Sequence, residues 1–498
     1  MSNFNDMSDQ ELWDLTSDDD DRTKADAYFG LGQRFFERKR YSDAVGPATA
    51  AKDLYNKVGD GKSEGPAAYY SALVLGYLDR NEEAVEYFTA AISLYKEHGT
   101  DEMVADSLRG KADANAKEGN HVEARDDYRA ASNFYLAANR KTPAGICLLE
   151  LGDILGSLGS QTEALGIFEE ALGIFQSNGD FIGSGRAHDR SAAALIDLGE
   201  MEKAIGHLEE ALTIFEYINN EYRFAYAQYR LGWTLVSNGE PERAIDMLKA
   251  ASASYKKQER FVDAANADNQ IAHAYAAMGH SAEALDLYSR TKTIYEAAGN
   301  VESSLLADVN SAKLMNPDNL DGQVTIYKRV IQTAQEEEID YIEQACKTRL
   351  AEILCKYDTG EKYEEALALV NDVPEDYWGE NRQEHARLIT AKALALFELN
   401  RDSEAETLLL EVVSHGFASG YAKEMGEAHF LLGMIASERN DKDKSDDYVA
   451  KAVALCLASG DVARAKELSE ILLPDATGSS KEVLQAEPVS ISDSEEQI

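Results

Sequence analysis

Residues 59–65 read GDGKSEG, and the Gly61-Lys62-Ser63 order inside them matches the end of a phosphate-cradling loop. Such a loop offers backbone N–H groups to the anion, with the lysine on the terminal phosphates and the hydroxyl on a metal. It needs a glycine five residues before Gly61 and a strand ahead of it. Asn56 stands at that place, and the flanking pattern is helical. No nucleotide site is expected there. The chain has no HExxH, no GxSxG and no paired CxxC. Its nine histidines are scattered, and His188, on a core-facing position, reads as a hydrogen-bonded structural histidine. Glutamate pairs such as Glu169-Glu170 and Glu209-Glu210 read as solvated helix faces. No catalytic carboxylate pair stands out among 90 acids. The expectation is a protein that is no enzyme and needs no cofactor or metal.

The elements behind these residues follow from a repeat. A small residue in phrases such as EEA or EKA falls at Ala44, Ala84, Ala124, Ala164, Ala204, Ala244 and Ala284, every 40 residues. Gln323, Ala366, Ala405 and Ser445 continue the series at slightly uneven steps, giving eleven units. Leu148, Leu151, Gly152 and Leu155 share one helical face, and Ala164, Phe168 and Ala171 share the face of a second helix. Glycine or asparagine punctuates the turns, as in LGSQ and NGEP. Each unit is therefore two antiparallel helices. One pair cannot bury its own apolar stripe, and stacking neighbours does so. Twelve residues before most anchors stands another small residue, among them Gly32, Ala72, Gly152 and Gly232, which lets the two helices approach closely.

The charge bounds the partners. Lys plus Arg number 49 and Asp plus Glu 90, a net charge of -41. Nucleic acid and anionic membranes are repelled by such a surface, and basic partners are attracted. No apolar run is long enough to span a bilayer, so membrane insertion is not expected. Cys147, Cys346, Cys355 and Cys456 each fall in a predicted helix among apolar neighbours. They read as buried reduced thiols of a cytoplasmic protein.

At Leu151-Gly152, Ala164, Phe168 and Ala171, and again at Leu231-Gly232, Ala244 and Ala251, the chain resembles the tetratricopeptide-repeat family over about residues 25–460. The 40-residue period is similar to that of Pins-type scaffolds and bacterial Rap-type regulators. The resemblance implies an all-α fold, a right-handed superhelical solenoid of about eleven helix-turn-helix repeats. It also implies that first helices line a concave groove, at offsets near −6, −3, +1 and +4 from the small residue. That stripe reads Tyr226, Tyr229, Trp233 and Val236 in the sixth unit, and Asn266, Asn269, His273 and Ala276 in the seventh. It reads Arg186, Asp189, Ala193 and Ile196 in the fifth, includes Arg109 in the third, and begins at Tyr69 in the second. Aromatic anchors beside amide groups suit an extended peptide or a helix.

The organisation expected is an acidic segment over 1–24 with a short capping helix from Ser8 and Glu11, and a regular array of seven repeats over 25–300. Divergent repeats follow over 301–381, marked by Pro317 and Pro374, and read either as simple decay of the repeat or as a bend. C-terminal repeats with a capping helix over 382–473 and a disordered acidic tail over 474–498 complete it. The functional expectation is a non-enzymatic scaffold whose concave groove binds a basic or amphipathic protein or peptide partner. Two alternatives stay open: a peptide- or ligand-responsive regulator, and a self-associating subunit of a larger, even viral, assembly. Oligomeric state is left open.

Overall fold

The computed structural model describes residues 7–472, apart from 317, 358, 375–376, 379–380, 415–421 and 460. The tail over 474–498 and Pro317 thus lie outside the described residues. Among the described residues the fold is all-α, with 24 helices and no strand. The chain divides into two compact units between Met278 and Gly279.

In the first unit α1 (Asp9–Leu15) precedes the pairs α2 (Asp21–Glu37) and α3 (Tyr41–Lys57), α4 (Gly61–Tyr77) and α5 (Asn81–His98), and α6 (Asp101–Lys117) and α7 (His121–Ala137). The pairs α8 (Lys141–Ser157) and α9 (Gln161–Asn178), α10 (Phe181–Asp197) and α11 (Met201–Tyr217), and α12 (Glu221–Ser237) and α13 (Pro241–Lys257) come next, and α14 (Phe261–Ala277) ends it. In the second unit α15 (Ser281–Ala297) leads to α16 (Val301–Leu314) and α17 (Leu320–Glu336), then α18 (Asp340–Leu354) and α19 (Gly360–Asn371). The pairs α20 (Arg382–Glu398) and α21 (Asp402–Ser414), and α22 (Ala422–Glu438) and α23 (Lys442–Ala458), lead to α24 (Val462–Leu472). Within each unit helices pack on their sequence neighbours, and first helices also touch first helices, as α8 touches α10 and α12 touches α14.

The anchors from Ala44 to Ala244 are fully buried. The paired small residue faces the side chain sixteen positions later. A Cβ on Gly152 would lie 2.3 Å from Phe168, and one on Gly232 2.5 Å from Leu248. Glycine there is a condition of the close approach. The aromatic near the end of each second helix then couples one pair to the next. Phe175 is fully buried. A Cβ on Gly145 of its own pair would meet it at 2.6 Å, and one on Gly183 of the next pair at 2.2 Å.

Helix ends repeat as regularly. After α8, Gly159 takes φ +77, and the N–H of Ser160 donates to the Leu155 carbonyl at 2.9 Å. This closes the helix with a left-handed residue and satisfies its last carbonyls. The equivalent places are left-handed at Lys39, Asp79 and Asn139 as well, although they are not glycine.

At the N-terminus, Ser8 and Glu11 form a reciprocal cap on α1, with Ser8 N–H donating to the Glu11 carboxylate at 2.6 Å. Leu12 is fully buried against Leu31, Phe35, Ala44 and Val74, and Arg34 holds Asp9 at 3.1 Å. In the second unit the pattern loosens. α16 stops at Leu314, Met315 is extended, and Gln323 takes the anchor position, buried. α19 has only 12 residues. All four cysteines are free and buried. One expectation is corrected here: Cys355 lies just past α18, because the helix closes on the bond from its N–H to the Ala351 carbonyl.

Candidate ligand groove between first helices

The GDGKSEG stretch folds as a turn and the start of α4, and the place of a phosphate is taken by the protein's own carboxylate. Asp60 accepts from the Ser63 N–H at 3.3 Å and pairs with Arg22. A carboxylate at a helix N-terminus satisfies the same donors an anion would seek.

The groove forms where α10 and α12 lie side by side. On α12 the positions 226, 229, 230 and 233 follow the i, i+3, i+4, i+7 spacing of one helical face. Tyr226, Tyr229, Arg230 and Trp233 together with Ala193, Ile196 and Asp197 of α10 line an open pocket of about 370 Å³. The small Ala193 leaves room opposite the aromatic rings. All four α12 side chains are half-buried.

Arg230 ties the two walls together. Its guanidinium lies 3.6 Å from the Asp189 carboxylate, 3.3 Å from the Tyr226 hydroxyl and 6.0 Å from the Tyr226 ring centre. Asp189 is only 9% exposed, and burial pushes its carboxyl above the usual range while Arg230 pulls it back. The ladder continues onto α8, where Asp153 holds Arg190 at 3.0 Å and Glu150 lies 3.9 Å from Arg186. Burial raises both of those carboxyls as well. Acidic side chains of α8 thus pair with arginines of α10, and Asp189 of α10 pairs with Arg230 beside the aromatic pocket.

The residues expected from sequence fall into three sets. Tyr226, Tyr229 and Trp233 meet in one pocket, and Asp189 joins it through Arg230. Tyr229 has a second role: it packs on Ala225, Ala251, Tyr255, Ala264 and Ala267. Arg186 stands one step away on the ion-pair ladder. Asn266, Asn269 and His273 sit on α14 outside the pocket lining, with Asn269 Nδ2 3.4 Å from His273 Nε2. Arg109 and Tyr69 lie farther back, on α6 and α4. Arg109 neighbours Tyr135, whose hydroxyl donates to Asp106. Tyr69 meets Phe88 edge-on at 5.9 Å, and burial pushes its phenol up to about 12.

Sequence reading missed Arg230 and Asp197. Arg230 was findable, since it stands four residues after Tyr226 and three before Trp233. It missed a histidine pair as well: buried His188 of α10 meets His207 of α11, Nδ1 to Nδ1, at 3.1 Å.

Known families match these helices. The family model described as tetratricopeptide repeat matches residues 184–257, which include α12 and nearly all of α10. The model described as soluble NSF attachment protein, SNAP, matches residues 10–172. No curated protein sequence matches the chain. Among solved structures, the chain is similar to aspartyl phosphate phosphatase F from Bacillus subtilis, at 13% identity and TM-score 0.44, over 66% of this chain and 87% of that one. It is similar to the apo form of RapI at 15% identity and TM-score 0.39, over 54% of this chain and 96% of that one. The apo quorum sensor NprR from B. thuringiensis stands at 15% and 0.39, over 57% and 79%.

Proposed function

We propose that this chain, a tetratricopeptide-repeat protein, is an interaction scaffold that holds a segment of a partner protein between its first helices, centred on Tyr226, Arg230 and Trp233. The observation that carries the reading is the open pocket itself, where three half-buried aromatic rings and a guanidinium converge opposite a small residue. Aromatic and arginine side chains in such settings dominate binding energy. The matched family over 10–172 is named for an attachment role, which agrees with a scaffold.

The pocket lining suggests how a segment is gripped. Tyr226 and Trp233 supply area for an apolar side chain. Arg230 and Asp197, both in the pocket lining, offer a donor and an acceptor within reach of a backbone. The strongly negative chain favours a partner whose flanking residues are basic.

The test is affinity purification of the full chain from its host, beside a Tyr226→Ala/Trp233→Ala form, with mass spectrometry of the proteins recovered with each. Tyr229 is left intact because it also packs on α13 and α14. A protein recovered with the wild type and lost from the double variant supports the reading. Recovery of the same proteins with both forms removes the groove from it.

A further inference from the structure

We propose that an exposed aromatic edge on the opening turns of α10, α12 and α14 and the last turn of α11 is a second docking surface, and that its partner is an amphipathic helix with apolar anchors between lysine or arginine residues. The proposal goes beyond the groove reading and stands without it.

Phe181 is 47% exposed, Ile182 46%, Tyr217 71% and Phe261 58%. The Phe181 and Tyr217 rings lie 5.3 Å apart. Phe181 and Ile182 face Ile218 and Glu221 across an open depression of about 650 Å³. Tyr222 carries the surface onward beneath the Arg260 guanidinium, 4.3 Å from its ring centre, and Phe261 is the next residue in sequence.

The same place in earlier pairs is polar and internally tied. It holds Asp21-Arg22, Asp101-Glu102 and Lys141-Thr142. Arg22 pairs with Asp60, Arg140 reaches Glu102 at 2.8 Å, and the Thr142 hydroxyl donates to Asp180 at 2.8 Å. The fold therefore accepts polar residues on this edge, and its own packing does not call for Phe181 and Ile182. An exposed apolar patch on an otherwise highly charged surface marks a contact site.

Charge selects the partner. The cations beside the edge are engaged: Lys257 holds Glu221 at 3.1 Å, Arg260 holds Asp263, and Arg223 lies over the Phe215 ring. Glu216 and Glu259 are exposed and make no ion pair among the described residues, and the whole chain carries -41. An apolar strip rimmed by such carboxylates complements a helix with basic flanks, and repels an anionic membrane.

The probe is a helical peptide of about 18 residues built from leucine and lysine, long enough for five turns, with a leucine–glutamate counterpart. Binding to the full chain is read by fluorescence anisotropy. The expected result is that Phe181→Ser/Tyr217→Ser weakens the lysine peptide at least tenfold, while Val122→Ser, at an exposed apolar side chain of α7 outside both surfaces, leaves it unchanged. Both edge side chains are exposed, so circular dichroism of the edge variant should match the wild type. Equal binding by wild type and edge variant overturns the proposal, as does equal binding of the glutamate peptide. So does a dimer in light scattering that the edge substitutions dissolve, since the occupant would then be a second copy.

Discussion

Arg230 of α12 stands 3.6 Å from Asp189 of α10, and that one contact joins the floor of the pocket to the ion-pair ladder behind it. Breaking such a pair from one side leaves a buried charge without compensation, which costs about 3–5 kcal/mol. Arg230→Met is expected to lose about 3 kcal/mol in urea unfolding at pH 7. Burial already raises the Asp189 carboxyl, and the variant raises it further. The folded state then binds the extra proton, so the stability gap to wild type narrows as pH falls. A gap that is constant with pH would mean that Asp189 does not carry the loss.

The His188–His207 pair gives a pH dependence of the opposite sense. Burial lowers both imidazoles. Glu169 and Glu210 face the pair and act against that shift. A base whose folded value is depressed binds fewer protons folded than unfolded. Its stabilisation is therefore present above about pH 6.5 and is lost as pH falls below it. Thermal melts between pH 7.5 and 5 should show His207→Gln losing stability less steeply than wild type. The slopes should differ by up to about 1.4 kcal/mol per pH unit. Parallel curves would show that the pair does not titrate with folding.

Gly152→Val tests the close approach inside a pair. The first added carbon would lie 2.3 Å from Phe168, which is itself buried. Overpacking of this kind costs about 1–3 kcal/mol, measured as a lower urea midpoint with an unchanged slope. Gly166→Val makes the control, since a Cβ there meets nothing within 4 Å. Equal losses at both positions would show that the contact with Phe168 is not the cause, since valine is a better helix former than glycine.

The thiols should be inert in the native protein. Burial pushes Cys147, Cys346 and Cys355 up to about 12 and Cys456 up to about 11. Thiolate is the reactive form. A disulfide reagent at pH 8 is expected to titrate all four only after denaturant is added. Fast reaction of any one in buffer would place it in a segment that opens locally.

The helix pairs were legible because packing repeats its demands. Ala164, Gly152 and Phe175 each answer a contact that recurs every 40 residues, and a recurring demand leaves a recurring letter. The pocket was legible in part. A helical stripe places Tyr226, Tyr229 and Trp233 on one face, yet it does not say that Tyr229 also serves the core, because both roles ask for an aromatic. Asn266, Asn269 and His273 share the stripe but not the pocket, since lining depends on the side chains of the neighbouring helix. The histidine pair was hidden for the same reason. His188 and His207 are nineteen residues apart, and neither carries a mark of the other.

The most direct test of the groove is hydrogen–deuterium exchange on the full chain, with and without the partner recovered by affinity purification. The account predicts added protection in α12 around 226–236 and in α10 around 189–197. Protection confined to other helices, or unchanged exchange in α10 and α12 at saturating partner, would contradict it.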